Sequence, residues 1–150
     1  MDFRECIRKR LLIKARPDRE KALIALQTAR ERLLDAEISF EAEVFSGTVI
    51  LSYTAMFYAA RALLFKVGFR EKSHICVKEF LRERFVKTGR LDPKFLSTLN
   101  NARIERHEAL YGLESKASKQ EAEHTLSQAR EFLKKTQKLL KEKQSTPRNH

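Results

Sequence analysis

The feature that most constrains the fold is a long uncharged run in the first half of the chain. No charged residue occurs from Thr48 to Ala60, and only Arg61 and Lys66 are charged before Gly68. The run is rich in Ala, Leu and Met and contains no proline, so it predicts one helix. Apolar residues occupy nearly every angular position of this helix. That distribution is typical of a helix that is buried on most of its circumference.

The same run is too short to cross a membrane. Its uncharged part covers 13 residues, 48–60, whereas a helix that spans a bilayer needs about 20 apolar residues. Arg61 would also lie in the hydrocarbon, which is unfavourable for a guanidinium group. The sequence therefore predicts a core helix and no membrane segment. Within that core, Arg61 needs either an anionic ligand or a carboxylate from a neighbouring helix.

Helical periodicity continues along the rest of the chain. Glycine and proline are scarce, with 4 and 3 residues among 150, and no useful stretch alternates as a strand does. The pattern predicts an all-α fold, an up-and-down bundle of four long helices plus a short N-terminal helix. The helical segments are expected at about 2–14, 17–42, 48–67, 74–87, 93–110 and 119–141.

The residues between these segments are of the types that begin helices. Ser73, Asp92 and Ser118 occupy expected N-cap positions, and Ser118 also matches a capping box. Residues 1–142 are expected to form a single domain, because a chain of this length can bury one substantial core. Residues 143–150 contain no packing side chains and are expected to form a disordered tail.

The chain is strongly basic, with a net charge of +11. The excess lies in residues 1–21, 61–90 and 130–150, whose net charges are +4, +6 and +5. This balance favours a polyanionic partner, nucleic acid first of all. A lysine-rich solvated surface gives the same total, so the charge by itself leaves both interpretations open.

The two cysteines, Cys6 and Cys76, show no metal-ligand spacing, and no apolar signal segment begins the chain. We interpret them as reduced thiols of a cytoplasmic protein. No zinc spacing, glycine-rich phosphate loop or Ser/His/Asp arrangement is visible. The sequence therefore predicts neither a metal nor a cofactor.

The richest polar cluster lies in residues 100–112. Arg103 and His107 stand four apart and share a helix face. Arg106 and Tyr111 lie about 140° apart around a regular helix, so they converge only if the helix breaks near its end. Arginine can hold a phosphate with two hydrogen bonds, and His or Tyr beside it can move a proton or position a hydroxyl. The cluster is a candidate nucleotide or RNA site, although such a face is also typical of a solvated surface.

Two stretches and this arginine cluster resemble a known family. Ser52–Leu64 (SYTAMFYAARALL) resembles the second long helix of small HEPN-domain proteins, the higher-eukaryote-and-prokaryote nucleotide-binding family. Phe85–Gly89 (FVKTG) resembles the end of the following helix in a small, largely uncharacterised branch of that family. The similarity covers about residues 20–140. It implies a helical bundle that forms a homodimer, with a cleft where the two copies meet.

The resemblance also implies an activity. Many members of the family are metal-independent ribonucleases, often toxins, that a minimal nucleotidyltransferase encoded nearby neutralises. Their motif is an arginine and a later histidine, with four to six residues between the two. Arg106 matches the arginine, but Tyr111 stands where the family has histidine. Tyrosine, with an ordinary pKa near 10, is a poor base at neutral pH. His107 is adjacent to Arg106, which is not the motif's spacing.

The favoured hypothesis is a HEPN-type homodimer that binds RNA or a nucleotide and is paired with a minimal nucleotidyltransferase in a toxin–antitoxin-like system. In it, Arg106 binds phosphate and Tyr111 stacks or hydrogen-bonds, with a metal-independent ribonuclease as one outcome. The further binding residues are Arg103, His107 and Arg61. The alternative is a non-catalytic helical bundle that binds a protein partner, in which Arg106 forms structural ion pairs.

Overall fold

A computed structural model of the chain describes residues 1–112 and 116–142. The elements in chain order are α1 (Phe3–Arg8), β1 (Leu12–Lys14), α2 (Arg19–Glu41), α3 (Phe45–Val67), β2 (Phe69–Glu71), α4 (His74–Leu81) with a π-helical extension (Arg82–Val86), α5 (Lys94–Tyr111) and α6 (Lys119–Lys141). The four long helices, α2, α3, α5 and α6, form a bundle. The predicted all-α class is therefore confirmed.

Helix α3 is the centre of the bundle and contacts α2, α5 and α6. Its small residues Ala55, Ala59, Ala60 and Ala62 are fully buried, which allows the neighbouring helices to approach closely. By length and hydropathy α3 could cross a membrane, but 61% of its most apolar window is buried inside the bundle. It packs as the predicted core helix. It begins at Phe45, three residues earlier than expected.

The prediction of an N-terminal helix over 2–14 is wrong beyond Arg8. Arg10 adopts a positive φ of 57°, which ends the helical path, and Leu12–Lys14 then pairs antiparallel with Phe69–Glu71. The latter residues lie between the expected helices 48–67 and 74–87. Each strand has only three residues, so neither shows the alternation that identifies a strand in sequence. The pairing depends on tertiary packing rather than on local propensity.

The interpretation of the cysteines as reduced thiols is also contradicted. Cys6 and Cys76 form a disulfide with a Cα–Cα distance of 5.8 Å, and both residues are fully buried. Helix α1 packs against α4, and this contact brings together two positions that are 70 residues apart in sequence. Spacing along the chain therefore gave no sign of the bond.

The helix ends largely follow the sequence. Ser118 Oγ accepts a hydrogen bond from a backbone N–H of the first turn of α6, and Asp92 Oδ1 accepts one from the first residue of α5. Ser73 stands at the N-cap of α4, but its side chain makes no capping hydrogen bond. The helix expected over 74–87 becomes π-helical in its second half. The proposed tail, 143–150, lies outside the described residues.

Candidate functional site

The two arginines of α5 lie at the edge of the core helix. Leu99 and Ala102 are buried and fix the rotation of α5 against α3, which leaves Arg103 and Arg106 half-buried. The guanidinium carbon of Arg106 lies 5.7 Å from the centre of the Tyr53 ring. That distance is within the range of a cation–π contact. The structure therefore places the motif arginine against α3.

Tyr53 joins α3 to the beginning of α4. Its hydroxyl is 2.5 Å from Nδ1 of His74, and the Tyr53 ring is almost completely buried. Phe57, one turn further along α3, stacks on the His74 ring with the ring centres 4.1 Å apart and the planes 17° apart. The imidazole is thus held by a hydrogen bond and by a stacking contact. Its side chain nevertheless stays exposed to solvent.

Helices α3, α4 and α5 enclose a small cavity at this point, with a volume of about 10 Å³. That is roughly the space of one water molecule. Its lining residues are Tyr53, His74, Ile75, Lys78, Leu99, Asn100 and Arg103. Arg103 Nη2 is 3.4 Å from Oδ1 of Asn100. The cavity therefore places Arg103 beside the Tyr53–His74 pair, while Arg106 contacts the Tyr53 ring from outside the cavity lining.

The electrostatics of the cluster favour an anion. Burial raises the pKa of Tyr53 to about 12, and the positive charges of Arg106 and Arg103 oppose this rise only in part. Burial also lowers the pKa of His74 below its ordinary value, and both arginines lower it further, while Glu71 acts in the opposite direction. At neutral pH the phenol is therefore protonated and the imidazole is neutral. The two guanidinium groups form no ion pair within residues 1–112 and 116–142.

The other predicted residues of α5 form a separate pair. The rings of His107 and Tyr111 are 5.0 Å apart, and Tyr111 is 66% exposed. The helix continues through Tyr111 and ends at Gly112, so the break that would bring Arg106 and Tyr111 together does not occur. Arg106 makes its aromatic contact with Tyr53 instead.

Arg61 is engaged elsewhere. Its Nε lies 2.5 Å from Oε1 of Glu71, and its guanidinium carbon is 5.2 Å from the ring centre of Tyr58 and 5.4 Å from that of Phe65. Of the two alternatives for Arg61, an anionic ligand or a carboxylate of a neighbouring helix, the structure has a carboxylate. That carboxylate, Glu71, lies on β2 and not on a helix. Arg61 lines a different cavity, of about 400 Å³, between α2 and α3.

Sequence reasoning did not single out His74, which is exposed and is the first residue of α4. The indirect signal was Tyr53, because a tyrosine on an apolar core helix needs a hydrogen-bond partner if it is buried. The partner stands 21 residues further along the chain, where periodicity carries no information. Among the described residues, no group of three or more side chains is arranged to hold a metal ion.

The fold and the site together define a helical bundle with a basic and aromatic cluster at one junction of its helices. The sequence model of the HEPN domain family matches residues 22–140 of this chain. The chain therefore belongs to the HEPN domain family, as the resemblance indicated.

Two relatives come from Methanocaldococcus jannaschii. The protein named "Putative toxin MJ0142" is 31% identical over 115 residues, which cover 77% of this chain and 78% of that protein. The protein named "Putative toxin MJ0605" is 29% identical over 124 residues, which cover 83% of this chain and 92% of that protein. Both similarities extend over most of each protein. This chain is therefore similar, over most of its length, to two proteins that are named as putative toxins.

Proposed function

We propose that this HEPN protein binds RNA, or a nucleotide, by its phosphates through Arg103 and Arg106. The observation that carries the proposal is the position of these two half-buried guanidinium groups, which have no carboxylate partner among the described residues and lie beside Tyr53 and His74. Arginine binds phosphate with paired, charge-assisted hydrogen bonds, which makes it the preferred residue for this ligand.

The rest of the chain supports a nucleic acid rather than a small anion. The net charge of +11 gives a long-range attraction for polyanions. Two exposed rings lie on the same helix as the arginines, namely those of His107 and Tyr111. Nucleobases stack on such rings, and this contribution adds to phosphate binding in proteins that bind single strands. In this proposal Arg106 contacts a phosphate, and Tyr111 contacts a base or a hydroxyl group.

The proposal includes a homodimer. The exposed face of α5 carries Ile104, Leu110 and Tyr111 close to the arginines, and apolar side chains of this kind favour contact with another surface. A second copy that packs along α5 would bring two sets of Arg103 and Arg106 to one cleft. This arrangement agrees with what membership of the family implies.

The proposed setting is a toxin–antitoxin-like pair. The two relatives are named as putative toxins, and a toxin of this kind needs a neutralising partner. The partner we propose is a minimal nucleotidyltransferase. Co-purification of the chain with the product of an adjacent gene of that type would test this part independently of RNA binding.

The second candidate function is a protein-interaction bundle without nucleic-acid affinity, and a set of exposed apolar side chains favours it. Ile24, Leu34, Ile38 and Val44 are all more than half exposed along α2 and at the start of α3. In this candidate the apolar side chains bind a protein partner, and the arginines of α5 serve only solubility.

Titration of fluorescently labelled single-stranded RNA tests the first candidate. We expect Arg103→Gln and Arg106→Gln each to weaken binding by about tenfold or more, the value of a charge-assisted hydrogen bond to phosphate. The slope of log affinity against log salt should become shallower by about 0.7 for each phosphate that the variant no longer neutralises. Arg130→Gln is the matched control, because it removes the same charge from the exposed surface of α6. Equal effects of all three variants would show that RNA binding depends on the overall charge and not on Arg103 and Arg106, and no RNA binding would favour the protein-interaction bundle.

A further inference from the structure

The α5 motif lacks a proton acceptor beside its arginine. Position 111 carries a phenol instead of an imidazole, and its ring contacts His107 rather than Arg106. His107 is exposed on the same side as Tyr111. Strand cleavage of RNA by its own 2′-hydroxyl needs a group that takes the proton of that hydroxyl. If such a group exists near Arg106, another element of the fold must supply it.

Helix α4 supplies an imidazole at the right place. His74 lies in the electrostatic field of both Arg106 and Arg103, and it shares a cavity with Arg103. Its ring is exposed, so a bound strand has access to it. Nδ1 is engaged by Tyr53, and no hydrogen bond to Nε2 occurs in the part of the chain that the structure describes. Nε2 is therefore the atom left for a ligand.

Tyr53 and Phe57 hold this imidazole in one orientation. The Tyr53 hydroxyl engages Nδ1, and Phe57 stacks on the ring. Nε2 can take a proton only in the tautomer whose Nδ1 carries a hydrogen, so Nδ1–H donates to the Tyr53 hydroxyl oxygen, and this hydrogen bond is the same before and after Nε2 gains a proton. A base that is oriented by a third group is the arrangement used in hydrolytic triads. Tyr53 is in this sense a positioning residue.

We infer that His74 is the general base of an RNA-cleaving site, with Arg103 and Arg106 on the phosphate; the inference rests on the RNA binding proposed above. The 2′-oxygen attacks the adjacent phosphorus while its proton passes to Nε2 of His74. The bond from phosphorus to the 5′-oxygen breaks, and the leaving oxygen takes a proton from water. The products are a 2′,3′-cyclic phosphate and a 5′-hydroxyl end. The imidazolium then returns its proton to the hydroxide that remains.

The surroundings of His74 define the pH dependence of the reaction. The groups that face it are Tyr53 from α3, Glu71 from β2, and Arg103 and Arg106 from α5, with Lys78 one turn along α4 in the shared cavity. A base must be neutral to act, and the pKa of His74 is lowered from 6.5. The cleavage rate should therefore increase with pH through a step below about 6.5 and remain constant above it.

The test compares binding and cleavage of one labelled single-stranded RNA in the presence of EDTA. The variants are His74→Gln, Tyr53→Phe and, as the matched control, His124→Gln, which removes an exposed histidine of α6. We expect His74→Gln to lower the cleavage rate by about 10²- to 10⁴-fold, the contribution of a general base, with RNA affinity within about threefold of wild type. Its residual rate should lose the pH step. Tyr53→Phe should reduce the rate less and shift the step. Circular dichroism establishes that each variant is folded.

Each outcome separates the inference from the proposed function. Cleavage by His74→Gln at the wild-type rate, or an equal loss of binding and cleavage in that variant, would overturn the role of His74 as base. RNA that binds to the wild-type protein but is not cleaved would overturn the inference and leave the binding function intact. Failure of the wild-type protein to bind RNA would overturn the proposed function itself. Cleavage that is lost in His74→Gln, kept in His124→Gln and accompanied by cyclic phosphate ends supports the inference.

Discussion

The disulfide between Cys6 and Cys76 should provide a large part of the stability of this bundle. It closes a loop across a sequence separation of 70 residues. In the chain-entropy treatment, a loop of this length costs the unfolded chain about 15 cal/mol/K, which corresponds to about 4 kcal/mol at 25 °C. A domain of this size is stable by only about 5–15 kcal/mol in total. Reduction of the bond should therefore remove a substantial fraction of the free energy of unfolding.

Urea denaturation of the wild-type protein, with and without a phosphine reductant, measures this difference. Reduction leaves all side chains in place, so the comparison isolates the cross-link from the packing of the two buried sulfur atoms. With an m-value of about 2 kcal/mol/M, a loss of about 4 kcal/mol lowers the urea midpoint by about 2 M. The Cys6→Ala variant should show the lower midpoint under both conditions.

Thiol titration under denaturing conditions decides whether the reasoning holds. Untreated protein should show no reactive thiols, and reduced protein should show both. If untreated protein already shows both thiols, the bond does not form in solution. If reduction is complete and the urea midpoint does not change, the bond exists but does not constrain the unfolded chain as the loop length requires.

Three further predictions concern single positions. Arg61→Met should lower the free energy of unfolding by about 1–3 kcal/mol in urea denaturation, because Glu71 loses its ion-pair partner and its side chain is only 11% exposed. A loss of RNA affinity with no change in the free energy of unfolding would instead place Arg61 in the binding site. Gly68→Ala should be more destabilising than Gly89→Ala, since both glycines have positive φ but only at Gly68 would a Cβ meet a backbone oxygen at 2.6 Å; equal midpoints would contradict this. Because the folded protein holds the Tyr53 proton more tightly than the unfolded chain does, the free energy of unfolding should decline as pH rises from about 10 to about 12, and Tyr53→Phe should remove that part of the decline.

The bundle was predictable because its signals are local and long. Helix α6 spans Lys119–Lys141, the range that its capping box and apolar spacing indicate. The core position of α3 follows from its uncharged run, and the fully buried Ala59 and Ala60 confirm it. The elements that sequence reasoning missed are the two three-residue strands. Elements of that length carry no periodicity, and their pairing is decided by the contact of α1 with α4 and of α3 with β2.

The candidate site was predictable only where it lies on one helix. Arg103 and Arg106 follow from the polar face of α5, and the structure places Arg106 in contact with α3. His74 could not be found in this way, because its relation to Arg106 depends on how α4 packs against α5. Tyr111 was assigned by motif spacing alone, and a regular helix directs it away from Arg106. The roles of these residues in binding and catalysis remain predictions that the variants above test.

The geometry also explains how a histidine motif on a single helix can be replaced. On a regular helix, two side chains five residues apart point in directions about 140° apart, so the spacing from Arg106 to Tyr111 is unsuited to joint action on one phosphate. A side chain from a neighbouring helix has no such restriction. Tyr53 links α3 to α4 at His74, and the bond of Cys76 to Cys6 secures the same turn of α4 two residues later. In the mechanism that we propose, proton transfer therefore depends on how three helices are held together rather than on the spacing of one motif.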